Sequence, residues 1–251
     1  MEIRARSLTR AFPAPGWFPR RRRHPAVRGV SFRVRDGEIT ALAGENGSGK
    51  TTTLRLLAGL LTPDAGEALL GGAPVVSARA RRGLGYVAEA DQFPPSLEVG
   101  EALRLGAALA GLAREPGARA SQQVAARLDL EPWLRTRTER CSRGIRRRLS
   151  LALALLDRPT ALLLDEPFTG LDPVARASSL AAVRDAASEG AAVVVSLHEP
   201  ASIAALAHRL VVLHQGRVVA AGPVADFHPG GEQAEGVWLR RALESHRAET
   251  R

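Results

Sequence analysis

The stretch that most narrows the possible folds is Gly44-Glu45-Asn46-Gly47-Ser48-Gly49-Lys50-Thr51. It is entered from the apolar run Ile39-Thr40-Ala41-Leu42-Ala43 and left through the helix-compatible Thr52-Thr53-Leu54-Arg55-Leu56-Leu57. Strand, glycine-rich loop and helix in that order make a phosphate-binding loop, in which backbone N–H groups and a helix N-terminus face a polyphosphate. Gly44, Gly47 and Gly49 are expected to let the main chain curl round the phosphates, a Cβ at any of them filling the room the phosphates need. Lys50 is expected to reach the β- and γ-phosphates and the Thr51 hydroxyl to take one position on Mg²⁺. Of the 35 lysines and arginines in the chain, Lys50 alone is a lysine. A sequence that otherwise uses arginine thus keeps a compact ammonium where a broad planar guanidinium would not fit the cradle.

The second informative stretch is Leu162-Leu163-Leu164-Asp165-Glu166-Pro167, an apolar strand that delivers carboxylates at its C-terminal end. In an open α/β sheet that end is where ligands sit, so Asp165 is placed to hold Mg²⁺ directly or through water. Glu166, one residue on, is placed to orient and polarise an attacking water.

The 251 residues suffice for one α/β domain with a smaller subdomain, and the formal charge of +9 suggests an anionic neighbour without choosing among nucleotide, nucleic acid and lipid. An aromatic content of 4% argues against single-strand nucleic-acid binding, and no nucleic-acid partner is expected. One cysteine, Cys141, excludes an internal disulfide framework and reads as packing. No apolar run nears the roughly 18 residues that span a bilayer. The charged start Met1-Glu2-Ile3-Arg4 lacks the apolar core of a secretory signal, so a cytoplasmic chain with peripheral membrane contact is expected.

Residues 2–6 and 29–35 read as strands, with Asp36-Gly37 as a hairpin turn into the strand before the loop. The intervening Pro13-Ala14-Pro15-Gly16-Trp17-Phe18-Pro19 and Arg20-Arg21-Arg22-Arg23 read as an irregular solvated loop, or as a basic-aromatic tab for phospholipid headgroups. Glu67–Leu70 and Leu84–Val87 are further short strands. From about 97 to 157 the pattern turns helical, over Val99–Leu112, Gln122–Leu130 and Arg143–Leu156, with breaks at Pro116-Gly117 and Glu131-Pro132. Ala161–Leu164 and Ala192–Val195 read as strands covered on both faces, joined by a helix from Pro173 to Ser188; Leu210–Leu213 and Arg217–Ala220 form a hairpin. The pair Arg147-Arg148 reads as solvated or phosphate-facing, and 229–251 as a helical tail beyond a domain of residues 1–228.

Gly44–Thr51, Leu162–Pro167, Phe168-Thr169-Gly170-Leu171-Asp172-Pro173 and His198 after the strand Val193–Leu197 are ordered and spaced as in the nucleotide-binding subunits of ABC transporters, and the likeness runs from Ile3 to about Gly222. The resemblance implies an α/β fold with a P-loop NTPase core sheet, an antiparallel β subdomain and an inserted helical subdomain. It implies ATP and Mg²⁺ as cofactors, the cradle Gly44, Glu45, Asn46, Gly47, Ser48, Gly49, Lys50, Thr51 and Thr52, and a second ABC subunit that completes each ATP site head to tail. His198 would contact the γ-phosphate and hold the water with Glu166, while Leu171 and Asp172 would form the loop communicating across the dimer. Phe12 would stack on adenine, with Trp17 or Phe18 as substitutes.

Two motifs depart from the family pattern. The signature, usually Leu-Ser-Gly-Gly-Gln, is here Cys141-Ser142-Arg143-Gly144-Ile145, with Ser142 and Gly144 kept for the opposite γ-phosphate and Arg143 and Ile145 altering the rim. Glu89 stands where the family has a glutamine that contacts Mg²⁺ and links to the membrane subunit; a carboxylate can still ligate the metal, and the change leans toward export. The reading is an ATP-hydrolysing subunit at the cytoplasmic face of the membrane, driving translocation through separate transmembrane permease subunits. The alternatives are a soluble ABC-type switch in DNA repair or translation, and a non-hydrolysing ATP-binding regulator.

Overall fold

The computed structural model describes residues 1–13, 23–91 and 93–227. Trp17, Phe18, Arg20–Arg22 and the tail 229–251 lie outside the described residues. Strand β1 (Ile3–Pro13) pairs antiparallel with β2 (Arg23–Val34), Ile3 opposite Val34 and Phe12 opposite His24. Both strands run well past the expected 2–6 and 29–35, and they include Pro13 and Pro25. The reason is position: Pro13 ends β1, and β2 is the sheet's edge strand, where a residue without an N–H breaks no ladder.

β3 (Ile39–Ala43) follows a turn at Asp36-Gly37, Gly37 having φ 74°. That turn is not a hairpin, because β2 and β3 belong to different sheets. Helix α1 (Lys50–Leu57), β4 (Ala65–Leu70), β5 (Ala73–Pro74) and β6 (Leu84–Val87) come next. Between β6 and β7 (Ala161–Asp165) the described residues form α2 (Val99–Leu109), α3 (Arg114–Arg127) and α4 (Arg143–Leu155), with 3₁₀ turns at Glu131–Trp133 and Thr138–Arg140 and one antiparallel bridge between Glu98 and Arg137. Pro116-Gly117, expected to break the helical pattern, lies inside the first turn of α3. Proline costs nothing there, since an N–H in a first turn has no intrahelical partner to lose.

The chain closes with α5 (Pro173–Ser188), β8 (Ala192–Ser196), α6 (Pro200–Leu206), β9 (Arg209–His214), β10 (Arg217–Pro223) and α7 (Val224–Phe227). α6 has no counterpart in the sequence reading; seven residues opened by proline give too short a period to detect.

Two sheets result. A four-stranded antiparallel sheet runs β2-β1-β4-β5, and a six-stranded sheet runs β10-β9-β3-β8-β7-β6, parallel from β9 to β6 with β10 antiparallel at one edge. The larger sheet is buried on both faces, and its residues divide by strict alternation. Leu42, Leu163, Val194 and Val211 pack with α1 and the antiparallel sheet, while Ala41, Leu162, Leu164, Val193 and Val212 pack with α2–α5. Each buried leucine or valine contributes roughly 1.5–3 kcal/mol, so this two-sided burial holds the loop after β3 and the loop after β7 in fixed relation. No helix among the described residues is long and apolar enough to cross a membrane.

Candidate functional site

The C-terminal ends of β3, β7 and β8, neighbours in the sheet, each release a loop at the same edge. From β3, the chain passes through Gly44 (φ 148°), Gly47 (φ 77°) and Gly49 (φ 106°), with Gly49 as the N-cap of α1. The sequence reading gave each glycine one reason, room for phosphate; the structure separates them. A Cβ on Gly44 would lie 2.2 Å from the Leu213 carbonyl oxygen and one on Gly49 2.5 Å from that of Ala26, so at both positions protein backbone excludes a side chain. A Cβ on Gly47 would meet nothing within 4 Å, and there the left-handed φ alone selects glycine. The loop is further tied to the β9–β10 turn by Gly216 N donating to Ser48 O at 2.9 Å.

Lys50 is 6% exposed, and its Nζ donates to Gly44 O at 2.8 Å and Glu45 O at 3.2 Å. Burial lowers its pKa from the usual lysine value, opposed by the charges of Glu166, Asp165 and Glu89. Those opposing charges place three acids, two at the end of β7 and one past β6, within electrostatic reach of one ammonium. Thr51 and Thr52, half-buried, follow in the first turn of α1, while Glu45 and Asn46 are exposed on the loop.

Asp165 ends β7 almost wholly buried. Its Oδ1 accepts from Ser196 Oγ at 2.7 Å, and its Oδ2, equally buried, has no hydrogen-bond partner among the described residues. Glu166 leaves the strand with φ 50°, a left-handed conformation that costs a residue with a Cβ about 1–2 kcal/mol. Its N–H donates to Ser196 Oγ at 2.8 Å, its Oε2 accepts from Thr169 at 3.4 Å, and its Oε1 meets His198 Nε2 in a short contact. Burial pushes its pKa up, but the bond to and charge of His198, together with Lys50, outweigh this and hold the carboxyl below the usual glutamate value.

Ser196 is a site residue that sequence reasoning missed, although a hydroxyl ending the apolar run Val193-Val194-Val195 was a readable signal. It is fully buried and links Asp165 to the Glu166 backbone.

The remaining predicted residues form a second group. Ser142, exposed, is the N-cap of α4, its Oγ accepting from Ile145 N at 3.3 Å. A Cβ on Gly144 would stand 3.3 Å from Gly170 O, and one on Gly170 would stand 3.5 Å from Arg143 Cδ, so the 142–144 turn lies against the segment leading to Leu171 and Asp172. Asp172 Oδ1 caps α5 by accepting from Ala175 N at 2.9 Å. Phe12 lies on β1 opposite His24, two residues from the Ala26 carbonyl that approaches Gly49, and Arg10 covers one face of its ring at 5.4 Å. Glu89 is exposed, two residues past β6. Cys141 is buried, with burial raising its thiol pKa.

Arg147 and Arg148, expected in solvent or on phosphate, are instead buried. Arg148 donates to Leu128 O and Asp129 O, both at 2.9 Å, closing the C-terminal end of α3, while Arg147 faces the ends of β6 and β7.

The geometry is therefore a lysine-bearing phosphate loop beside an unpartnered buried carboxylate oxygen and a Glu–His pair. The ABC transporter family model matches residues 27–169, more than half of the chain. This chain belongs to the ABC transporter ATP-binding family. Over 198 residues it is 39% identical to the Nod factor export ATP-binding protein I of Burkholderia thailandensis, covering 78% of this chain and 65% of that protein. It thus spans about two thirds of the length of those export relatives. A Halobacterium salinarum protein described as an ABC transporter ATP-binding protein is 40% identical over 208 residues, covering 80% of this chain and 88% of its own. Among solved structures, an ATP-binding subunit of an ABC transporter superposes with a TM-score of 0.82 at 27% identity, over 98% of this chain and all of that one. A dimeric ATP-binding cassette bound to ADP and Pi superposes at 0.79 with 20% identity, over 88% and 98%, a likeness of fold. The fold of this ABC subunit is accordingly the α/β P-loop NTPase fold.

Proposed function

We propose that this ABC subunit binds and hydrolyses ATP and that hydrolysis drives translocation, export in particular, through separate membrane-spanning subunits at the cytoplasmic face of a membrane. The observation that carries the reading is Glu166, hydrogen-bonded to His198 and one residue past Asp165, within the field of Lys50. The loop Gly44–Thr52 would take the polyphosphate, with Lys50 turning from its own loop carbonyls to the β- and γ-phosphates. Phe12 would cover adenine with the ring face that Arg10 leaves open. Similarity to Nod factor export proteins supports the outward direction.

Mg²⁺ suits the donors present. The buried Asp165 Oδ2 without a partner and a nearby hydroxyl at Thr51 match a cation held by one or two carboxylates plus substrate oxygens, and Glu89 would add a second carboxylate. When bound, the cation supplies charge neutralisation on the phosphates. Glu166 then takes a proton from a water whose oxygen attacks the γ-phosphorus as the bond to the β-phosphate oxygen breaks, and His198 orients that carboxylate and the γ-phosphate. Ser142, Arg143 and Gly144 would face the nucleotide held by a second ABC subunit, with Leu171 and Asp172 at the same contact.

Glu166→Gln tests this. ATP binding should persist, turnover should fall at least about 100-fold, and MgATP should hold the variant as a dimer on gel filtration. Parent-like hydrolysis in that variant would remove Glu166 as the base.

A further inference from the structure

Arg147 is 3% exposed, and among the described residues its guanidinium donates to main-chain carbonyls and one carboxylate. Nε reaches Glu166 O at 3.1 Å and Nη2 the same oxygen at 2.7 Å, while Nη2 also donates to Asp165 O. Nη1 donates to Ala88 O at 2.6 Å and to Asp91 Oδ1 at 2.9 Å. Asp91 is itself held by Ser150 Oγ at 2.6 Å, one turn along α4 from Arg147. A single side chain therefore joins three pieces: the helix that begins at Ser142, the 88–91 segment that carries Glu89, and the two peptide groups on either side of the Glu166 Cα.

The last of these matters most. Glu166 has φ 50°, and the left-handed backbone turns its carbonyl inward beside that of Asp165. Two carbonyl oxygens converging in a buried space repel unless a cation collects them, and a planar fork of N–H groups does so at fixed spacing where an ammonium would not. A residue held in a sparsely populated conformation persists only when its surroundings over-determine it, and Arg147 on one side with Ser196 on the other provide that.

We infer that Arg147 is the positioning residue for Glu166: its guanidinium holds the Asp165–Glu166 backbone in the hydrolytic conformation and makes that conformation depend on the 88–91 segment through Asp91. The inference rests on the hydrolysing role proposed for Glu166. It separates from the phosphate loop, since the hydrogen bonds of Arg147 go to residues 88, 91, 165 and 166, so nucleotide affinity and base placement respond to different residues.

The test uses the full chain with Arg147→Met, Arg147→Lys and Asp91→Asn, and Glu166→Gln as reference. Arg147→Met should lower kcat at least tenfold with KM for ATP and the affinity for a fluorescent ATP analogue within threefold of the parent. Arg147→Lys should recover only part of kcat, and Asp91→Asn should lower it several-fold. Hydrogen exchange, read without nucleotide, should speed up in 88–91 and 166–169 together in each variant and stay unchanged in α1. If Arg147→Met does not fold, the lysine and asparagine variants decide. A parent kcat in the folded variants, with or without a lowered Tm, would make Arg147 a structural residue and overturn the inference, as would faster exchange confined to α4. Full turnover in Glu166→Gln would instead bring down the reading of the base on which it rests.

Discussion

The chemistry at single positions follows from what each side chain has nearby. Lys50 is buried among acids and satisfied by two carbonyls of its own loop, so removing it deletes both the cation a polyphosphate needs and the contact that shapes the loop. Lys50→Ala should raise the Kd for ATP roughly 10–100-fold, the range of a lost charge-assisted hydrogen bond, measured by titration with a fluorescent analogue. Asp64 offers a pH test on the β1–β2 ribbon that carries Phe12. Its carboxylate accepts the Ala11 N–H at 2.8 Å and pairs with Arg23 and Arg10, and these together hold its pKa below 3.8. The sign follows: the folded form keeps the anion to lower pH than the unfolded form. The stabilisation is therefore full above pH 3.8 and fades as pH falls through the lower folded value. The Tm of the parent should drop more steeply with acid than that of Asp64→Asn, and equal slopes would remove the assignment. Lys50, Asp165 and Glu166 were legible in the sequence because phosphate chemistry needs them at set intervals. Ser196 left only the mark of a hydroxyl closing an apolar run, and the role of Arg147 left none, since its carbonyl partners and Asp91 are brought close only by the fold.

Helices and strands were readable where their period was long and their ends were marked. β3, β7 and β8 announced themselves as continuous apolar runs, and α4 and α5 as spans from Arg143 and from Pro173; that the side chains of the preceding Ser142 and Asp172 cap them emerged only from the structure. What escaped were features set by neighbours: the length of the β1–β2 ribbon, decided by cross-strand pairing, and α6, decided by packing of Ile203 and Leu206. Packing between elements gives two further predictions. Gly85 in β6 touches α4, where a Cβ would lie 2.3 Å from Ala154 O and 2.7 Å from a Leu162 methyl. Because one of those atoms is backbone, Gly85→Ala should cost about 1–3 kcal/mol by denaturant titration, the range for overpacking. Ser142→Ala should cost about 1 kcal/mol as a lost helix cap. In a Glu166→Gln background it should also abolish the MgATP-dependent dimer; a dimer of parent strength would show that Ser142 serves only its own helix.

The molecule as a whole is two sheets and a set of helices around a single nucleotide-facing edge. Loops from β3, β7 and β8 are rigidly related through the sheet, whereas the 88–91 segment and the turn at Ser142 belong to the stretch between β6 and β7. In the function proposed above, the first set carries the base and the phosphate loop, while the second, which holds Arg143 and Glu89, would meet other subunits and add the Glu89 carboxylate beside the cation. Co-expression with a multi-span membrane protein of the same transport system should capture this subunit on the membrane. Glu89→Ala should lower the ATPase stimulation by that partner more than it lowers basal turnover.

The pairing of β6 with β7 has a mechanical corollary. Among the described residues β6 has a neighbour on one side only, and it is the strand from which the helical excursion departs. The excursion returns to β7, so a pull exerted on those helices would load the margin of the sheet, where four parallel residue pairs join β6 to β7, and would reach the strand bearing the phosphate loop only through β8. Strain generated by a membrane partner would thus be absorbed at the rim, leaving the nucleotide cradle undistorted while the outer strand gives way.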